Sequence, residues 1–500
     1  MAAMLAFVRS ALDSKRRSRL VVSIVVGLAF LQPILGCDEF SAPAFPGAQG
    51  FGAYAIGGRG GRVIEVTNLD DLDGAGKTVP GSLRAAIEAK GRRIVVFRLS
   101  GTIRVCERDR PLTITEPYIT IAGQSAPGDG ITLRLDPSCS GSALGIWTHD
   151  VIVRHLRIRP GVNPAVDTGA SDALTIGGAN AHDIIVDHCS FSWATDENVD
   201  ISSGASDVTV QHSIISEALK DAPRDRYGPS GGYGMLIADG GPNGSSTRRI
   251  TIHHDLFAHN WYRNPQITIG GLVDYRNNVI YDWGLHGLRV MDLYGSARMN
   301  IVGNYAKAGP TTSPATSMRE MWAYHSIGRA PFAYFVMSNL GPRRPSGSEP
   351  ELDILYCREH YENVVDSGVD CDPARFSTPV AFPAPVVTTS DPAIAYNQVL
   401  QNAGATLPRR DRVDARILDE VRYGTGGDVS NPAEVGGWPS MASSAPPVDD
   451  DHDGMPDWWE LQYGLSSNNG FDGASDFDGD GYTNVEEYLN STNPTIRNVQ

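Results

Sequence analysis

From about residue 119 the chain alternates short apolar runs with turns, and hardly any stretch carries helical periodicity. "YITIAGQS", "VIVRHLRI", "IIVDHCSF", "VTVQHSII", "ITIHHDLF", "LVDYRNNV" and "MNIVGNYA" are β-branched runs of alternating apolar and polar positions, so each reads as a strand. Several carry His or Asn at one place: His155, His188, His212, His254, Asn277 and Asn304. A second kind of strand precedes four of them, "DALTIGG", "NVDISSG", "GMLIADG" and "PQITIGG", each ending at Gly. Repeats of this size, divided by Gly, Asn and Ser turns, predict stacked coils. Copies of one strand then lie side by side about 4.8 Å apart, which lines up like side chains in columns. A propeller needs longer four-stranded units, and a sandwich would not repeat the same turn residues. The expected fold is all-β, a right-handed parallel β-helix. "PGSLRAAIEA" (Pro80 to Ala89), with a Ser N-cap and an apolar stripe, predicts a helix that caps the open end.

At 500 residues the chain has room for more than one domain. A basic patch ending at Arg19 and the apolar "LVVSIVVGLAFLQPIL" read as an export signal over residues 1–36. "ILGC" (Ile34 to Cys37) resembles a bacterial lipobox, which makes Cys37 a candidate lipid anchor and places the exported chain in the periplasm, at the cell surface or outside the cell. The β-helix is expected over 43–435, a linker "GGWPSMASSAPPV" over 436–448, and a small acidic module over 449–494. The formal charge of −16 and the lack of a basic face exclude a nucleic-acid binder. A monomer is expected. An exported chain can keep disulfides, and Cys106–Cys139 and Cys357–Cys371 are the expected pairs, leaving Cys189 over. No CxxC spacing occurs, so no thiol chemistry is read here. The glycine-rich "FGAYAIGGRGG" (Phe51 to Gly61) lacks the Lys-Ser/Thr of a phosphate loop and reads as turns.

In "IIVDHCSFSWATDENVDISSG" Asp196 and Asp200 stand four apart with Glu197 beside them. Crowded like charges repel unless water or a cation neutralises them. Two Asp residues alone fit a solvated turn as well as a cation site. Asp172, 24 residues before Asp196, tips the reading, because a coil of that length stacks the two, with Lys220 another 24 residues on. Oxygen-only ligands suit calcium rather than zinc. His188 and Cys189 read as structural residues of the coil. Arg263 and Lys220 fit surface ion pairs, yet both lie where the strand pattern gives way to turns and so could face a cleft.

The sequence resembles the pectate lyases of polysaccharide lyase family 1, parallel β-helix enzymes of the pectin lyase-like fold, over roughly residues 43–425. The likeness rests on "FPGAQGFGAYAIGGRGG", "VTNLDDL", "PGSLRAAI", "SGTI", "ITIAGQSAPGDG", "IIVDHCSFSW", "DENVDI", "RRITIHHDLFAHNWYRNP" and the late "AYNQVLQNAGATLPRRDRVDARILDEVRYGTG". It implies that Asp172, Asp196 and Asp200 hold a catalytic calcium, that Lys220 contacts substrate in the cleft, and that Arg263 is the base. The family often continues "PRVR", whereas this chain reads Pro265, Gln266, Ile267, Thr268. Arg289, in "GLRVM" one coil later, is the candidate to replace the missing substrate-binding arginine. The implied reaction is β-elimination on polygalacturonate (de-esterified pectin), giving 4,5-unsaturated oligogalacturonides. Competing readings are a pectin lyase, which replaces the calcium site with basic residues, a polygalacturonase-like hydrolase using paired acids, and a non-catalytic β-helical adhesin or polysaccharide-binding protein.

"DDDHDGMPDWWE" and "DFDGDGYTNVEE" form a second calcium signature. Asp449, Asp451, Asp453, Gly454 and Glu460 fall at positions 1, 3, 5, 6 and 12 of an EF-hand-like loop, and Asp476, Asp478, Asp480, Gly481 and Glu487 repeat them. The pair resembles the thrombospondin type 3-like or dockerin-like repeats at the ends of bacterial secreted proteins.

Overall fold

The computed structural model describes residues 42–136, 139, 141–162, 171–221, 231–239, 247–292, 297–327, 332–361 and 368–498. The leader and Cys37 lie outside the described residues. Within Ser41–Gln500, strands stack into three sheets of ten, ten and eight strands among the described residues, and each of the eight complete coils contributes one strand to each. The first sheet holds His182–Asp187, the third Ser190–Ser192 and the second Glu197–Ser202, in successive thirds of one coil. The pairings are parallel, except where Leu355–Tyr361 meets Val369–Asp370 at the last coil. The fold is the expected parallel β-helix.

Each sequence run with a central His or Asn is two strands of two different sheets. Val151–Arg154 and Leu156–Ile158 are divided at His155, and His182–Asp187 and Ser190–Ser192 at His188. The dividing residues His155, His188, His212, His254 and Asn277 have φ of 54°, 51°, 49°, 57° and 51°, the left-handed conformation that turns the corner and that His and Asn tolerate. Their rings stack down the axis at centroid separations of 5.1, 4.9 and 5.0 Å from His155 to His188, His212 and His254. Asn304 does not continue that column. It sits one residue further in, where Asn278, Asn304 and Asn339 form an interior ladder: Asn278 Oδ1 accepts from Asp255 N (3.0 Å), Asn304 Oδ1 from Asn278 N (2.9 Å) and Asn339 Oδ1 from Asn304 N (3.0 Å). These amides satisfy backbone donors that the corner leaves without a sheet partner.

Inward positions form one continuous core. Ile184, Val186, Val208, Val210, Ile250 and Ile252 are fully buried in adjacent coils of the first sheet, and truncating any one to Ala should cost about 2–5 kcal/mol. The helix Leu83–Glu88 closes the first end, with Ser82 Oγ accepting from Ala85 N as its N-cap. The disulfides are Cys106–Cys139 and Cys357–Cys371, and Cys189 is free and buried, as expected. Burial pushes its thiol up to about 12.

Two late helices, Pro392–Asn402 and Arg412–Tyr423, lay Val399, Leu400, Val413, Ile417, Leu418 and Val421 against Trp193, Ile214, Leu256 and Tyr281 on the outer face of the third sheet. Residues 436–448 run along the coils: Trp438 Nε1 donates to Arg159 O (3.0 Å), Asp129 N to Ala442 O (2.9 Å) and Ser100 N to Ser443 Oγ (3.0 Å). The acidic end folds as two loop–helix units with helices Asp457–Tyr463 and Asn484–Asn490. Met455, Trp459, Val485 and Leu489 pack on Ile94, Val96 and Ala122 of the first sheet. Among the described residues no helix is long and apolar enough to cross a membrane.

Candidate active site

The outward face of the second sheet carries the candidate site. Its inward residues Ile146, Ile176 and Ile201 are buried in register, so the alternate positions face out. One outward column runs Gly145, Thr175, Asp200, Leu236, Gln266, Arg289 and Trp322 across successive coils.

Asp172 lies just before the strand Leu174–Gly177. Its Oδ2 accepts from Thr175 Oγ1 (2.8 Å) and Ser142 Oγ (3.3 Å), and its Oδ1 from Glu197 N (3.1 Å). Asp196 immediately precedes the strand Glu197–Ser202 and donates its backbone N to Ser171 O (3.2 Å). Asp200 projects from that strand, and Ser202 Oγ donates to its Oδ2 (2.9 Å). The three carboxylates are close enough to perturb one another. Burial, then the charges of Asp200 and Asp196, holds the Asp172 carboxyl well above the usual range. Burial also pushes Asp200 up to about 6; the Ser202 hydrogen bond opposes this and the charge of Asp196 adds to it. Asp200 Oδ1 is buried with no hydrogen-bond partner among the described residues. Converging oxygen donors, one of them orphaned, fit a calcium ion.

The 24-residue spacing holds for only part of the ladder. Ile184 pairs with Val208, 24 residues on, but Leu174 pairs with Val199, 25 on, and Val208 with Ile250, 42 on. Asp172 therefore meets the backbone of Glu197 rather than that of Asp196, and the three acids converge because Asp196 and Asp200 sit on either side of that rung. Glu197 belongs to the same cluster: oxygens of Asp172, Asp196 and Glu197 lie within 4.8 Å of one another.

Arg263 also has a left-handed backbone (φ 63°), which turns it out of the strand ladder. Its guanidinium pairs with Glu197 and lies over the Tyr233 ring, 4.0 Å from the centroid. Burial lowers its pKa to about 10; Asp196 and Asp172 oppose the shift and Arg289 adds to it. Lys220 does not turn toward the carboxylates. Its Nζ pairs with Asp428 Oδ2 (2.5 Å) and lies 3.7 Å from the Trp261 ring centroid. Asp428 follows the late helices, so this partner comes from far along the chain and no local spacing announces it. Arg289 is in register with Gln266, not Thr268, and its guanidinium lies 4.7 Å from the Trp322 and 5.1 Å from the Tyr324 ring centroids.

At the acidic end, oxygens of Asp451, Asp453, Glu460 and Asp472 lie within 4.8 Å of one another. Asp472 was outside the loop pattern that marks the other three. Both Glu460 carboxylate oxygens, together with Asp449 Oδ1 and Asp453 Oδ2, are buried without hydrogen-bond partners among the described residues. In the second loop Asp476 accepts from Gly479 N (2.7 Å) and Gly481 N (2.9 Å), Asp480 Oδ1 from Tyr482 N (2.9 Å), and Asp478 Oδ2 and Glu487 Oε2 are orphaned in the same way. Burial first, then neighbouring acids, pushes Glu460 and Glu487 up to about 8.

No family model matches the chain. Probable pectate lyase C of Aspergillus fumigatus is 35% identical over 455 residues, spanning 90% of this chain and 94% of the relative. Probable pectate lyase C of Aspergillus terreus is 34% identical over 474 residues, spanning 94% and 99%. Among solved structures, the major allergen of cedar pollen superposes with a TM-score of 0.45 at 18% identity over 71% of this chain and 92% of that one. Pectate lyase II of Xanthomonas campestris gives 0.44 at 16% over 73% and 99%. Both are too remote to bear on the chemistry. With a third of its residues shared over nearly the full length of the fungal relatives, the chain belongs to the pectate lyases, a family of polysaccharide lyases.

Proposed function

We propose that this chain cleaves polygalacturonate by calcium-dependent β-elimination, with Asp172, Asp196 and Asp200 holding the calcium and Arg263 acting as base. The observation that carries the reading is the meeting of three half-buried carboxylates, with Asp172 and Asp200 raised by desolvation and by neighbouring acids, and a desolvated arginine on one outward sheet face. In the reaction Arg263 takes the proton from C5 of a galacturonate unit, the electron pair forms the C4–C5 double bond, and the C4–oxygen bond breaks. The leaving oxygen takes a proton from solvent. Calcium at the three carboxylates would supply Lewis-acid stabilisation of the charge that spreads onto the C6 carboxylate. A guanidinium is a poor base until its pKa falls. Burial and Arg289 already lower it; once the acids are neutralised, their opposing influence is gone. Lys220 and Arg289 supply positive contacts for substrate carboxylates, Lys220 by giving up part of its pairing with Asp428. Mass spectrometry of the products tests the reading: elimination leaves fragments whose masses sum to that of the substrate, whereas one added water per cut would mean hydrolysis.

Arg289 is held by ring stacking, so its part is binding. Arg289→Ala should raise KM about 10-fold, the scale of a charge-assisted contact, and change kcat much less. An equal fall in kcat with KM unchanged would move Arg289 into the chemical step.

The two acidic loops are read as structural calcium sites, held by Asp449, Asp451, Asp453 and Glu460, with Asp472 adjoining, and by Asp476, Asp478, Asp480 and Glu487. The support is the orphaned oxygens of Glu460 and Glu487, both fully buried. Each site should add about 3 kcal/mol at a calcium concentration near 100 times its Kd. A Glu460→Gln, Glu487→Gln variant should therefore lose the calcium-dependent rise in Tm of this unit while cleaving soluble polymer at a near-normal rate. Loss of most activity with the β-helix still folded would contradict a structural role.

A further inference from the structure

Trp147 is 46% exposed. A single exposed aromatic is ordinary, but the setting of this one is not. Its backbone is fixed in the second sheet, Trp147 N donating to Ile114 O (3.0 Å) and Gly145 N to Leu112 O (2.9 Å). The indole rests on a bed of three glycines. A Cβ at Gly145 would meet Nε1 at 3.1 Å, one at Gly177 would meet Cζ3 and Cη2 at 3.0 Å, and one at Gly178 would meet Cε3 at 3.2 Å. One ring face is thus packed on bare backbone while the residue remains half open to solvent. The ring also leans from its own coil onto the next. Register puts Gly177 opposite Ser202, two residues beyond Asp200. The ring therefore lies about one coil, about 5 Å, and two residues, about 7 Å, from the Asp200 position. On the other side of Asp200, three coils along the same column, stands Arg289.

We infer that the Trp147 indole is a stacking platform for a galacturonate ring next to the one being cleaved, and so a residue that sets how long a stretch of polymer the enzyme grips. The inference rests on the lyase reading above. A sugar ring presents an apolar C–H face and a polar rim, and a rigid indole offers a matching apolar surface at little entropic cost. The glycines are what keep it low on the sheet face: any side chain at Gly177 would lift the ring away from the sheet.

The test is binding of saturated oligogalacturonates of increasing length, with calcium, to an Arg263→Lys protein, at protein concentrations and times short enough that its slow turnover leaves them intact. Affinity should rise with length, and Trp147→Ala in that background should bind the long oligomers about 5–10-fold more weakly while matching the parent for the shortest that bind. Gly177→Ala, which keeps the indole but displaces it, should reproduce the length-dependent loss, and Trp147→Phe should retain most of the affinity. In the active enzyme Trp147→Ala should raise KM on long polymer and leave kcat nearly unchanged. Equal affinities at every length, or a uniform loss at every length, would overturn the platform. Failure of the lyase reading is separate: the wild type would then form no unsaturated product, whatever Trp147 does.

Discussion

Arg263→Ala should fold, bind calcium as the wild type does, and turn over roughly 10²–10⁴-fold more slowly, the scale of losing a general base. A surface ion pair would predict something else, a cost of about 0–1 kcal/mol in stability and little change in rate. The structure places Arg263 between Glu197 and the Tyr233 ring with its pKa lowered to about 10. The neutral form is the competent one, so the wild-type rate should climb with pH toward that value. Arg263→Lys keeps a cation but not the planar fork or its reach, and should be nearly as slow across the alkaline range. Near-normal turnover in a folded Arg263→Ala protein would remove the base and the proposed mechanism with it. Circular dichroism and calcium titration on the same preparations establish that the fold and the metal site survive.

Asp200→Asn should produce two effects of opposite sign. In calcium the rate should fall about 10²–10³-fold, because a ligand to the charge-stabilising ion is lost. In chelator the variant should be more stable than the wild type above about pH 6. The folded Asp200 carboxyl titrates near 6, above its ordinary value of 3.8. The folded state therefore holds a proton that the unfolded state has released, and stability falls as pH rises through that window. Integrated over the shift, the burden is on the order of 3 kcal/mol without metal, and an amide does not carry it. Thermal melts of both proteins in chelator at pH 4 and pH 8 check this: the two should differ least at pH 4, where the unfolded carboxyl is still about half protonated, and most at pH 8. A lower Tm for Asp200→Asn at pH 8 in chelator would mean that the carboxylates are not straining against one another.

Periodicity made the coil legible because its signal is repeated: a β-branched strand, a corner and a Gly turn recur whatever the loops between them do. The same signal concealed the three-sheet cross-section. A His in left-handed conformation looks, in one dimension, like one more polar position in an alternating run, so two strands read as one. Asn304 was grouped with the histidines for that reason, although it faces inward one residue past the corner. The convergence of Asp172, Asp196 and Asp200 was legible because they come from adjacent coils. Glu197 was visible only as their neighbour. Asp428, which pairs with Lys220, and Asp472, which joins the first acidic loop, come from chain remote from their partners or outside any loop pattern. Trp147 gave no sign in its own surroundings, because what marks it is a flat seat of glycines supplied partly by the next coil.

Cleavage should proceed by elimination, and only with calcium. Incubating the wild-type protein with polygalacturonate at alkaline pH, with calcium and then with excess chelator, and following the ultraviolet absorbance of the unsaturated product, tests it directly. Absorbance should grow steadily with calcium, stop on chelation and resume when calcium is restored. New reducing ends without that absorbance, or absorbance that grows undiminished in chelator, would contradict it.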